Sequence, residues 1–492
     1  MLDCKGTGSS WSYTLSRDAS QGQKGFATQI ETMLRSPNQR SLAIKITLAV
    51  IVAAAVAVGV YFIVKAAQNN SNSSATTTSG NGSGEGSGRT NGVTGPPAVS
   101  PTNTGTAPPV GLATGRETNF KAAESGACRA DNCKLPDCFC AGTSIPGGLT
   151  REQTPQFIML TFDDYLSETI WTGLIDDLIH KTTARDATGC GPRLTFYLQN
   201  DLTDYYLADN AYAAGSEIAI HTIDHRNPSA FSADEWAKTM YGSVKYTAAA
   251  TSIPEGAMVG GRAPWLIYSD NMLAGDYKGG FLYDSSIVER HDSLRPHNSY
   301  VDMTTKVGQW LWPYTLDFGI QQICPWGATC PKNAYPGFWE VPMCVSVDFR
   351  NPNGYAAEMD PDKTGDDLYN LLADNFDSRY QGNRAPYGVF LHAVSWLKTD
   401  ASRVATLQRF FAYAASHPGV VFATPSQIIR WMRDPKPIDQ LGSLSFLSCP
   451  TRTEAFCGGK TPNTCTFNQG SYKQCQQCPA QYPTINNAAS PP

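Results

Sequence analysis

The sequence predicts an α/β protein in which parallel strands alternate with helices, either as an α/β barrel or as a doubly wound sheet. Short apolar runs alternate with amphipathic segments between residues 128 and 440, which is the pattern of such folds. The first run, 157–162, has the composition of a strand buried on both faces, yet it ends at Asp163 and Asp164. Two adjacent carboxylates indicate a metal site, a shared proton or the capped start of a helix.

The first element along the chain is a predicted transmembrane helix at 46–64. These nineteen residues carry no charge and lie between Lys45 and Lys65. At about 1.5 Å per residue they span roughly the 30 Å hydrocarbon core of a bilayer. A signal peptide is the alternative, but the leader and the apolar run are both long for one. Basic residues outnumber acidic ones in 1–45, which predicts a cytoplasmic tail and a single-pass type II protein of the plasma membrane.

A linker and unevenly spaced cysteines follow the membrane segment. Residues 65–127 are rich in Asn, Ser, Thr, Gly and Pro, which predicts a disordered extracellular linker, and they hold N-glycosylation sequons at Asn69, Asn72 and Asn81. The chain has fourteen cysteines, most of them clustered at 128–140 and 449–478, which predicts disulfides in an oxidising compartment. With the cytosolic Cys4 set aside, thirteen remain, so one is free or links two chains.

The region 128–440 holds the predicted strands and helices of one α/β domain. The strands are expected at 157–162, 194–198, 217–220, 258–259, 281–283, 339–345, 388–391 and 420–422. The helices are expected at 168–180, 234–246, 366–376, 401–416 and 426–432. The Cys-rich segment 441–492 is either a structural tail or a small carbohydrate-binding module with Tyr472 and Tyr482 available for stacking on sugar.

Two histidines directly follow the predicted strand 217–220. The chain has only seven histidines, and His221 and His225 stand four residues apart at this strand end. At that spacing two imidazoles can converge on one ion. With one carboxylate they make three ligands and leave a position for water, the open arrangement of a catalytic site. Such a donor set suits zinc, cobalt or iron.

Further predicted strands also end at polar or titratable residues. Arg262 follows 258–259, Asp284 follows 281–283, and His392 follows 388–391. An arginine beside an extra carboxylate would hold that group ionised and oriented. One such strand end is ordinary, but five in series are hard to explain as helix capping.

Five short motifs follow one another along these strand ends: Thr-Phe-Asp-Asp at 161–164, His-Thr-Ile-Asp-His at 221–225, Arg-Ala-Pro-Trp at 262–265, Tyr-Asp-Ser-Ser at 283–286 and Leu-His at 391–392. In this order they resemble the motifs of polysaccharide deacetylases with a NodB homology domain, carbohydrate esterase family 4. Segments 133–140, 145–147, 311–315 and 383–386 are similar to those of animal chitin deacetylases. The resemblance covers roughly 128–437 and implies a distorted (β/α) barrel of the NodB type.

The resemblance implies a metal site with a catalytic base beside it. Asp164, His221 and His225 would bind a divalent metal, most often zinc, with cobalt or another divalent ion as the alternative. Asp163 would be the general base for the attacking water, and Arg262 would orient it.

The resemblance also implies how the leaving group and the acetyl group are held. His392 would be the general acid that protonates the departing amine, and Leu391 would shape the pocket for the acetyl methyl group. The backbone N–H of Trp265 would help to bind the oxyanion. Asp284 would act beside Arg262 or His392.

The residues agree independently with amide hydrolysis. An amide requires a strong nucleophile, which a metal-activated water supplies, and an acid near neutrality, for which histidine is suited. Sugar substrates require aromatic platforms, and Trp265, Trp312 and Trp396 are candidates, with a place in the core as the equal alternative for each. Substrate specificity is expected in the loops 270–280 and 285–309.

The leading hypothesis is a cell-surface hydrolase of linear amides that removes N-acetyl groups from chitin or a related GlcNAc-containing polysaccharide. One alternative is a catalytically silent protein that holds chitin or another glycan at the cell surface. Another is a deacetylase of a different acetylated glycan. The formal charge of −5 gives no electrostatic case for a nucleic-acid partner.

Overall fold

The structure is a computed structural model that describes residues 116, 120–123, 127–290, 299–324, 330–351, 354–450 and 456–491. All of them belong to one compact unit, Thr102–Pro492. The predicted tail at 1–45, membrane helix at 46–64 and most of the linker at 65–127 lie outside these residues. Among the helices of the described ranges, none is both long and apolar enough to cross a membrane.

The strands are short and follow one another closely along the chain. In chain order they are β1 (Gln156–Asp164), β2 (Leu194–Leu198), β3 (Glu217–Ile220), β4 (Gly260–Gly261), β5 (Tyr283–Asp284), β6 (Val288–Glu289), β7 (Tyr300–Val301), β8 (Gly308–Gln309), β9 (Tyr314–Leu316), β10 (Tyr335–Glu340), β11 (Met343–Cys344), β12 (Ser346–Val347), β13 (Tyr355–Ala357), β14 (Tyr387–His392), β15 (Val420–Phe422), β16 (Asn463–Phe467) and β17 (Gly470–Gln474).

A mostly parallel sheet organises the described part of the chain. Nine of its strands form this sheet in the order β14-β1-β2-β3-β4-β5-β10-β9, with β15 paired to the start of β1. Every pair is parallel except β9 with β10. The predicted parallel α/β sheet is therefore confirmed. Among the described strands β14 and β9 are its two edges, so the predicted barrel is open and not closed.

The helices alternate with these strands. They are α1 (Glu168–Ile170), α2 (Asp176–His180), α3 (Tyr205–Ala213), α4 (Ala233–Ala250), α5 (Asp270–Lys278), α6 (Gly365–Tyr380), α7 (Ser402–Ala415) and α8 (Pro425–Arg433). The start of α4 shows why the chain becomes helical there. The Ser232 side chain accepts from the Glu235 N–H, and the Glu235 carboxylate accepts from the Ser232 N–H. This reciprocal pair satisfies two of the N–H groups that a helix leaves open at its start.

Several predicted boundaries were wrong. The helix predicted at 168–180 is interrupted at Gly173, whose φ of 75° no right-handed helix accommodates. The strand predicted at 258–259 lies two residues later, as β4. The segment 270–280 was predicted to be a loop, but most of it is α5. Within α5, residues 272–277 are all buried, so the segment has no polar face of the kind that identifies a helix from its sequence.

The core lies on both faces of β1, as its apolar sequence predicts. Ile158, Leu160 and Phe162 belong to one buried cluster. Phe157 and Met159 belong to another, together with Trp431, which Phe157 meets edge to face. Successive side chains of a strand point to opposite faces, so a strand covered on both sides has no exposed position.

Disulfides join the ends of the fold. The structure contains the bonds Cys128–Cys140, Cys133–Cys138, Cys190–Cys449, Cys324–Cys330, Cys457–Cys475 and Cys465–Cys478. The predicted disulfides are thus present. Cys344 is the one free cysteine among the described residues, and it is buried.

The Cys-rich segment packs against the α/β domain. Its hairpin, β16 with β17, places Tyr472 against Tyr205 of α3, with ring centroids 5.2 Å apart. Tyr472 is 2% exposed and Tyr482 is 7% exposed. The expectation that these two rings are available for stacking on sugar was wrong, because they form part of a buried aromatic cluster.

Candidate active site

The two adjacent aspartates lie at the carboxyl end of β1, between the edge strand β14 and β2. Asp163 pairs in register with His392 of β14 on one side and with Tyr197 of β2 on the other. Asp164 is the last residue of the strand, and its φ of 80° lies in the left-handed region. The left-handed backbone at Asp164 interrupts the alternation of the strand, so both carboxylates lie near His221 while each also has a partner of its own.

Asp164 meets the two histidines that follow β3. Its Oδ1 lies 3.4 Å from His225 Nε2 and 3.9 Å from His221 Nε2. Residues Thr222 and His225 have φ values of 71° and 51°, so the chain turns sharply between the imidazoles. This turn brings both rings to one side, with centroids 5.0 Å apart. The three predicted ligands are therefore brought together.

The chemistry of this donor set fits a divalent cation. One ligand atom from each of Asp164, His221 and His225 lies within 4.8 Å of the others. His221 Nδ1 lies 2.8 Å from the Arg262 carbonyl oxygen and must carry a proton to donate to it, which leaves Nε2 unprotonated. Burial lowers the pKa of His221 to about 4, against the opposing effect of Asp163, so the ring is neutral near pH 7. The other group of possible metal ligands among the described residues consists of cysteines at 128–140, and these are joined in disulfides.

Asp163 meets Arg262 instead. Asp163 Oδ1 accepts from Arg262 Nη1 at 2.6 Å, and both side chains are almost completely buried. Removing two charges from water is costly, so such a pair persists only when hydrogen bonds complete it.

The Arg262 guanidinium is held on all sides. It donates through Nε to the Ser285 carbonyl oxygen at 2.7 Å and through Nη1 to Thr161 Oγ1 at 3.1 Å. Its central carbon lies 3.8 Å from the centre of the Tyr197 ring, a cation–π distance. A guanidinium fixed in this way gives the Asp163 carboxylate one orientation and stabilises its charge.

His392 has a partner that was not predicted. Its Nδ1 lies 2.7 Å from Asp360 Oδ2, and its backbone N–H donates to Asp360 Oδ1 at 2.8 Å. Burial lowers the pKa of His392, but the Asp360 hydrogen bond and the charge of Asp163 outweigh it and raise the pKa to about 9. Asp360 is 32 residues from His392 and follows no apolar run, so no strand-end pattern identifies it.

Asp284 lies away from the reacting groups. Its carboxylate accepts from the backbone N–H and the hydroxyl of Ser286, at 2.9 Å and 2.7 Å. Among the described residues no hydrogen bond or ion pair joins it to His392, and Arg262 acts on it through its charge. Asp284 is the last residue of β5, in register with Gly261 of β4 and Glu340 of β10, and its side chain is completely buried.

Leu391 and the three tryptophans divide between core and rim. Leu391 is completely buried in the cluster that contains Phe162. Trp265 is 58% exposed and lies edge to face on His225, with centroids 4.8 Å apart. Trp312 and Trp396 are buried, so of the two alternatives for these residues the structure supports a place in the core.

Comparison with known proteins gives sequence relatives over most of the chain. No family model matches. The sequence is 31% identical over 385 residues to chitin deacetylase 8 of Bombyx mori, covering 73% of this chain and 92% of that protein. It is 29% identical over 388 residues to chitin deacetylase 1 of Bombyx mori, covering 73% of this chain and 68% of that protein.

Among solved structures, a Mycobacterium smegmatis protein assigned as a polysaccharide deacetylase gives a TM-score of 0.36 at 16% identity, covering 60% of this chain and 95% of that one. A TM-score this low supports no argument about fold or function. The relationship of this chain to other proteins therefore rests on the sequence relatives.

Proposed function

The chain belongs to the family of chitin deacetylases, hydrolases that act on amide bonds, and we propose that it removes N-acetyl groups from chitin or a related GlcNAc-containing polysaccharide. The observation that carries this proposal is the arrangement at the end of β1. Asp164 faces two histidines, while the adjacent Asp163 is paired with Arg262 and stands in register with His392. A metal-ligand set, a base and an acid thus share one sheet edge.

Asp164, His221 and His225 would hold the metal, with zinc preferred and cobalt or another divalent ion as the alternative. A divalent cation at this position lowers the pKa of water and polarises an acyl oxygen. The hydrogen bond from His221 Nδ1 to the Arg262 carbonyl fixes the ring so that Nε2 faces Asp164.

Asp163 is the proposed general base. Its Oδ2 lies 4.0 Å from His221 Nε2, so the carboxylate borders the ligand set, while its Oδ1 is bound by Arg262. There it can take the proton of the attacking water. Arg262 stabilises the ionised carboxylate and prevents it from rotating, because the guanidinium is itself fixed by Ser285 and Thr161.

His392 is the proposed general acid. A pKa of about 9 keeps its imidazole protonated at neutral pH, so it can give a proton to the departing nitrogen. Asp360 binds Nδ1, which leaves Nε2 as the atom that transfers the proton. In this step the water oxygen bonds to the acyl carbon and the C–N bond breaks, Asp163 takes one water proton, His392 gives its proton to the nitrogen, and acetic acid and an amine leave. Acetic acid then ionises in solution, and loss of a proton from Asp163 and gain of one by His392 restore the enzyme.

The acetyl group is proposed to lie between Trp265 and Leu391. The turn Pro264–Leu266 follows Arg262 directly, and Trp265 has a φ of 53°, so its N–H stands in a tight turn beside the metal ligands. Such a backbone donor can stabilise the oxyanion. Leu391 precedes His392 on β14 but has no exposed surface, so the acetyl methyl group can contact it only if neighbouring side chains move.

Acetate release from chitin pentamer and from peptidoglycan, measured side by side on the purified full chain, tests the proposal. We expect release from the pentamer that a chelator abolishes and added zinc restores. Asp164→Ala should be inactive and should retain less zinc. Full activity of Asp164→Ala would show that the ligand assignment is wrong, and release from peptidoglycan alone would favour the alternative substrate.

The silent glycan-binding alternative predicts chitin binding without acetate release. Loss of the base or of a ligand would favour it, but Asp163, Asp164, His221 and His225 are all present and converge. We therefore retain catalysis as the proposal.

We also propose that the enzyme is tethered at the plasma membrane with its catalytic domain outside the cell. The uncharged run 46–64 and the six disulfides of the described residues support this location. Antibody against 441–492 should label intact cells, and the protein should remain with membranes in alkaline carbonate. Recovery in the soluble fraction would contradict the tether.

A further inference from the structure

Three carboxyl groups that the proposed mechanism does not use lie buried behind Arg262. Asp276 of α5, Asp284 of β5 and Glu340 of β10 are each completely inaccessible to solvent. Asp284 and Glu340 are direct neighbours in register across a parallel strand pair. Paired positions on neighbouring strands lie about 4.8 Å apart, so the two carboxyl groups share one buried face of the sheet. Two ionised carboxylates at this spacing repel each other strongly, so one of the two is expected to carry a proton.

The hydrogen bonds show which group carries it. Asp284 accepts twice from Ser286, once from the backbone N–H and once from the hydroxyl, as an ionised carboxylate does. Glu340 Oε1 accepts from the Ile287 N–H at 3.3 Å. Glu340 Oε2 is buried and has no donor among the described residues, which fits the protonated oxygen of a carboxylic acid. Glu340 is then the donor and Asp284 the acceptor.

The charges around the pair agree with this assignment. Burial raises the pKa of Glu340 well above its usual range, and Asp284 adds to that increase. Burial raises the pKa of Asp284 to only about 6, because Ser286, Glu340 and Arg262 oppose it. Asp276 accepts a hydrogen bond from Trp236 Nε1 at 2.7 Å. Burial and the charge of Asp284 raise the pKa of Asp276 as well. Glu340 also faces the phenols of Tyr268 and Tyr314.

The pair connects to the catalytic edge through two serines. Ser286, which donates to Asp284, accepts from the Ala263 N–H at 2.8 Å, just before the turn that holds Trp265. Its neighbour Ser285 accepts from Arg262 through both its carbonyl oxygen and its hydroxyl. The loop that follows Asp284 therefore holds both the guanidinium on Asp163 and the turn proposed to bind the oxyanion.

We propose that Asp284 and Glu340 form a carboxylate–carboxylic acid pair that positions Arg262 and the Ala263–Trp265 turn for deacetylation. The inference rests on the proposed function of the site and assigns Asp284 a role different from direct catalysis. Both residues are positioning residues, because Asp284 acts through Ser286, Glu340 acts through Asp284, and neither touches the reacting groups. The shared proton allows a buried ion at Asp284 without a second negative charge beside it.

The test compares Glu340→Gln with Glu340→Met in the purified full chain. Glutamine can donate its amide N–H to Asp284 and accept from Ile287, so we expect kcat close to that of the wild type. Methionine has similar size but no donor, and we expect kcat to fall about 100-fold with KM little changed, the scale of a misplaced catalytic group. If the glutamine variant is as impaired as the methionine variant, the proposal is overturned.

A second readout does not depend on activity or on the folding of the methionine variant. The infrared band of a buried protonated carboxyl group should be present in the wild type and weaker in Glu340→Gln, but unchanged in the surface control Asp366→Asn. An unchanged band in Glu340→Gln overturns the proposal. Should the wild type release no acetate from any substrate, the proposed function fails, while this spectrum still decides whether the pair shares a proton.

Discussion

At the scale of single residues, the contact between His392 and Asp360 determines when the proposed acid is charged. An ordinary histidine with a pKa near 6.5 would be mostly neutral at pH 7 and unable to protonate the leaving nitrogen. Burial alone would lower the pKa of His392 further, and the Asp360 carboxylate together with Asp163 reverses this effect. The protonation of His392 at neutral pH therefore depends on the Asp360 carboxylate.

This contact predicts a pH dependence. The acid must be protonated to act, so kcat/KM should be highest below the pKa of His392 and should fall as pH rises through about 9. Asp360→Asn removes the carboxylate that raises the pKa of His392. The fall of kcat/KM at alkaline pH should therefore begin at a lower pH in this variant. The check is the pH profile of acetate release, with Asp366→Asn, an exposed carboxylate paired to Arg409, as control. If the alkaline fall of kcat/KM occurs at the same pH as in the wild type, Asp360 does not determine the pKa of the acid.

Arg262 supports a second prediction at this scale. Arg262→Lys keeps the charge but not the fork of donors that reaches Asp163, Thr161 and Ser285 together. We expect kcat to fall about 100-fold because the base loses its orientation. Steady-state kinetics with zinc content measured on the same samples tests this, and Arg409→Lys is the exposed control. Wild-type kcat in Arg262→Lys would contradict the role of Arg262.

At the scale of elements, strand ends carried the predictable part of the site. β1, β2, β3 and β14 are continuous apolar runs because both faces of the sheet are covered, and their ends place Asp163, Asp164, His221 and His392 at one edge. Parallel strands bring their carboxyl ends together, so sequence order was sufficient to predict the cluster.

Other elements could not be predicted for physical reasons. Helix α5 is buried on nearly all sides, since Gly275 packs so closely on α4 that a Cβ would lie 2.6 Å from Trp236. A helix enclosed in this way has no amphipathic period to detect. Asp360 lies in an irregular segment with a φ of 50°, where neither strand nor helix patterns apply. The burial of Tyr472 and Tyr482 depends on contacts across the chain that no local pattern contains.

The loop after β2 links the Cys-rich segment to the metal ligands. The Asp201 N–H donates to the Ile223 carbonyl at 2.8 Å, between the two histidines, and the Asp201 side chain accepts from the Tyr482 hydroxyl. This loop therefore braces the turn that carries His221 and His225.

Tyr482→Phe tests this brace. Loss of the hydroxyl should lower the free energy of unfolding by about 1 kcal/mol, the net value of one hydrogen bond. It should also weaken zinc binding by less than the roughly 10- to 100-fold typical of groups that hold a ligand directly. Thermal unfolding and zinc titration measure both, with the exposed Tyr300→Phe as control. Unchanged stability and zinc affinity would show that the segment only covers the loop.

At the scale of the whole molecule, the Cys190–Cys449 bond closes most of the α/β domain. It joins the start of β2 to the segment after α8 across 259 residues, whereas Cys324–Cys330 closes only 6. In the chain-entropy account a longer closed loop restricts the unfolded chain more. Replacing both members of Cys190–Cys449 by alanine should lower the free energy of unfolding by about 2–5 kcal/mol.

The matched control is the same replacement of Cys324 and Cys330, which should cost less. Denaturant unfolding of the two double variants gives the comparison. A larger loss on removal of the short loop would show that the loop-closure account does not hold for this fold.

The proposed chemistry depends on Asp163 acting as a base beside a metal that Asp164, His221 and His225 hold. The most direct measurement is acetate release from chitin pentamer by the zinc-loaded Asp163→Asn variant, with zinc content determined on the same sample. Asparagine keeps the size of the side chain but cannot take a proton, so we expect zinc bound as in the wild type and kcat lowered at least about 100-fold. Zinc bound and wild-type kcat would contradict the account.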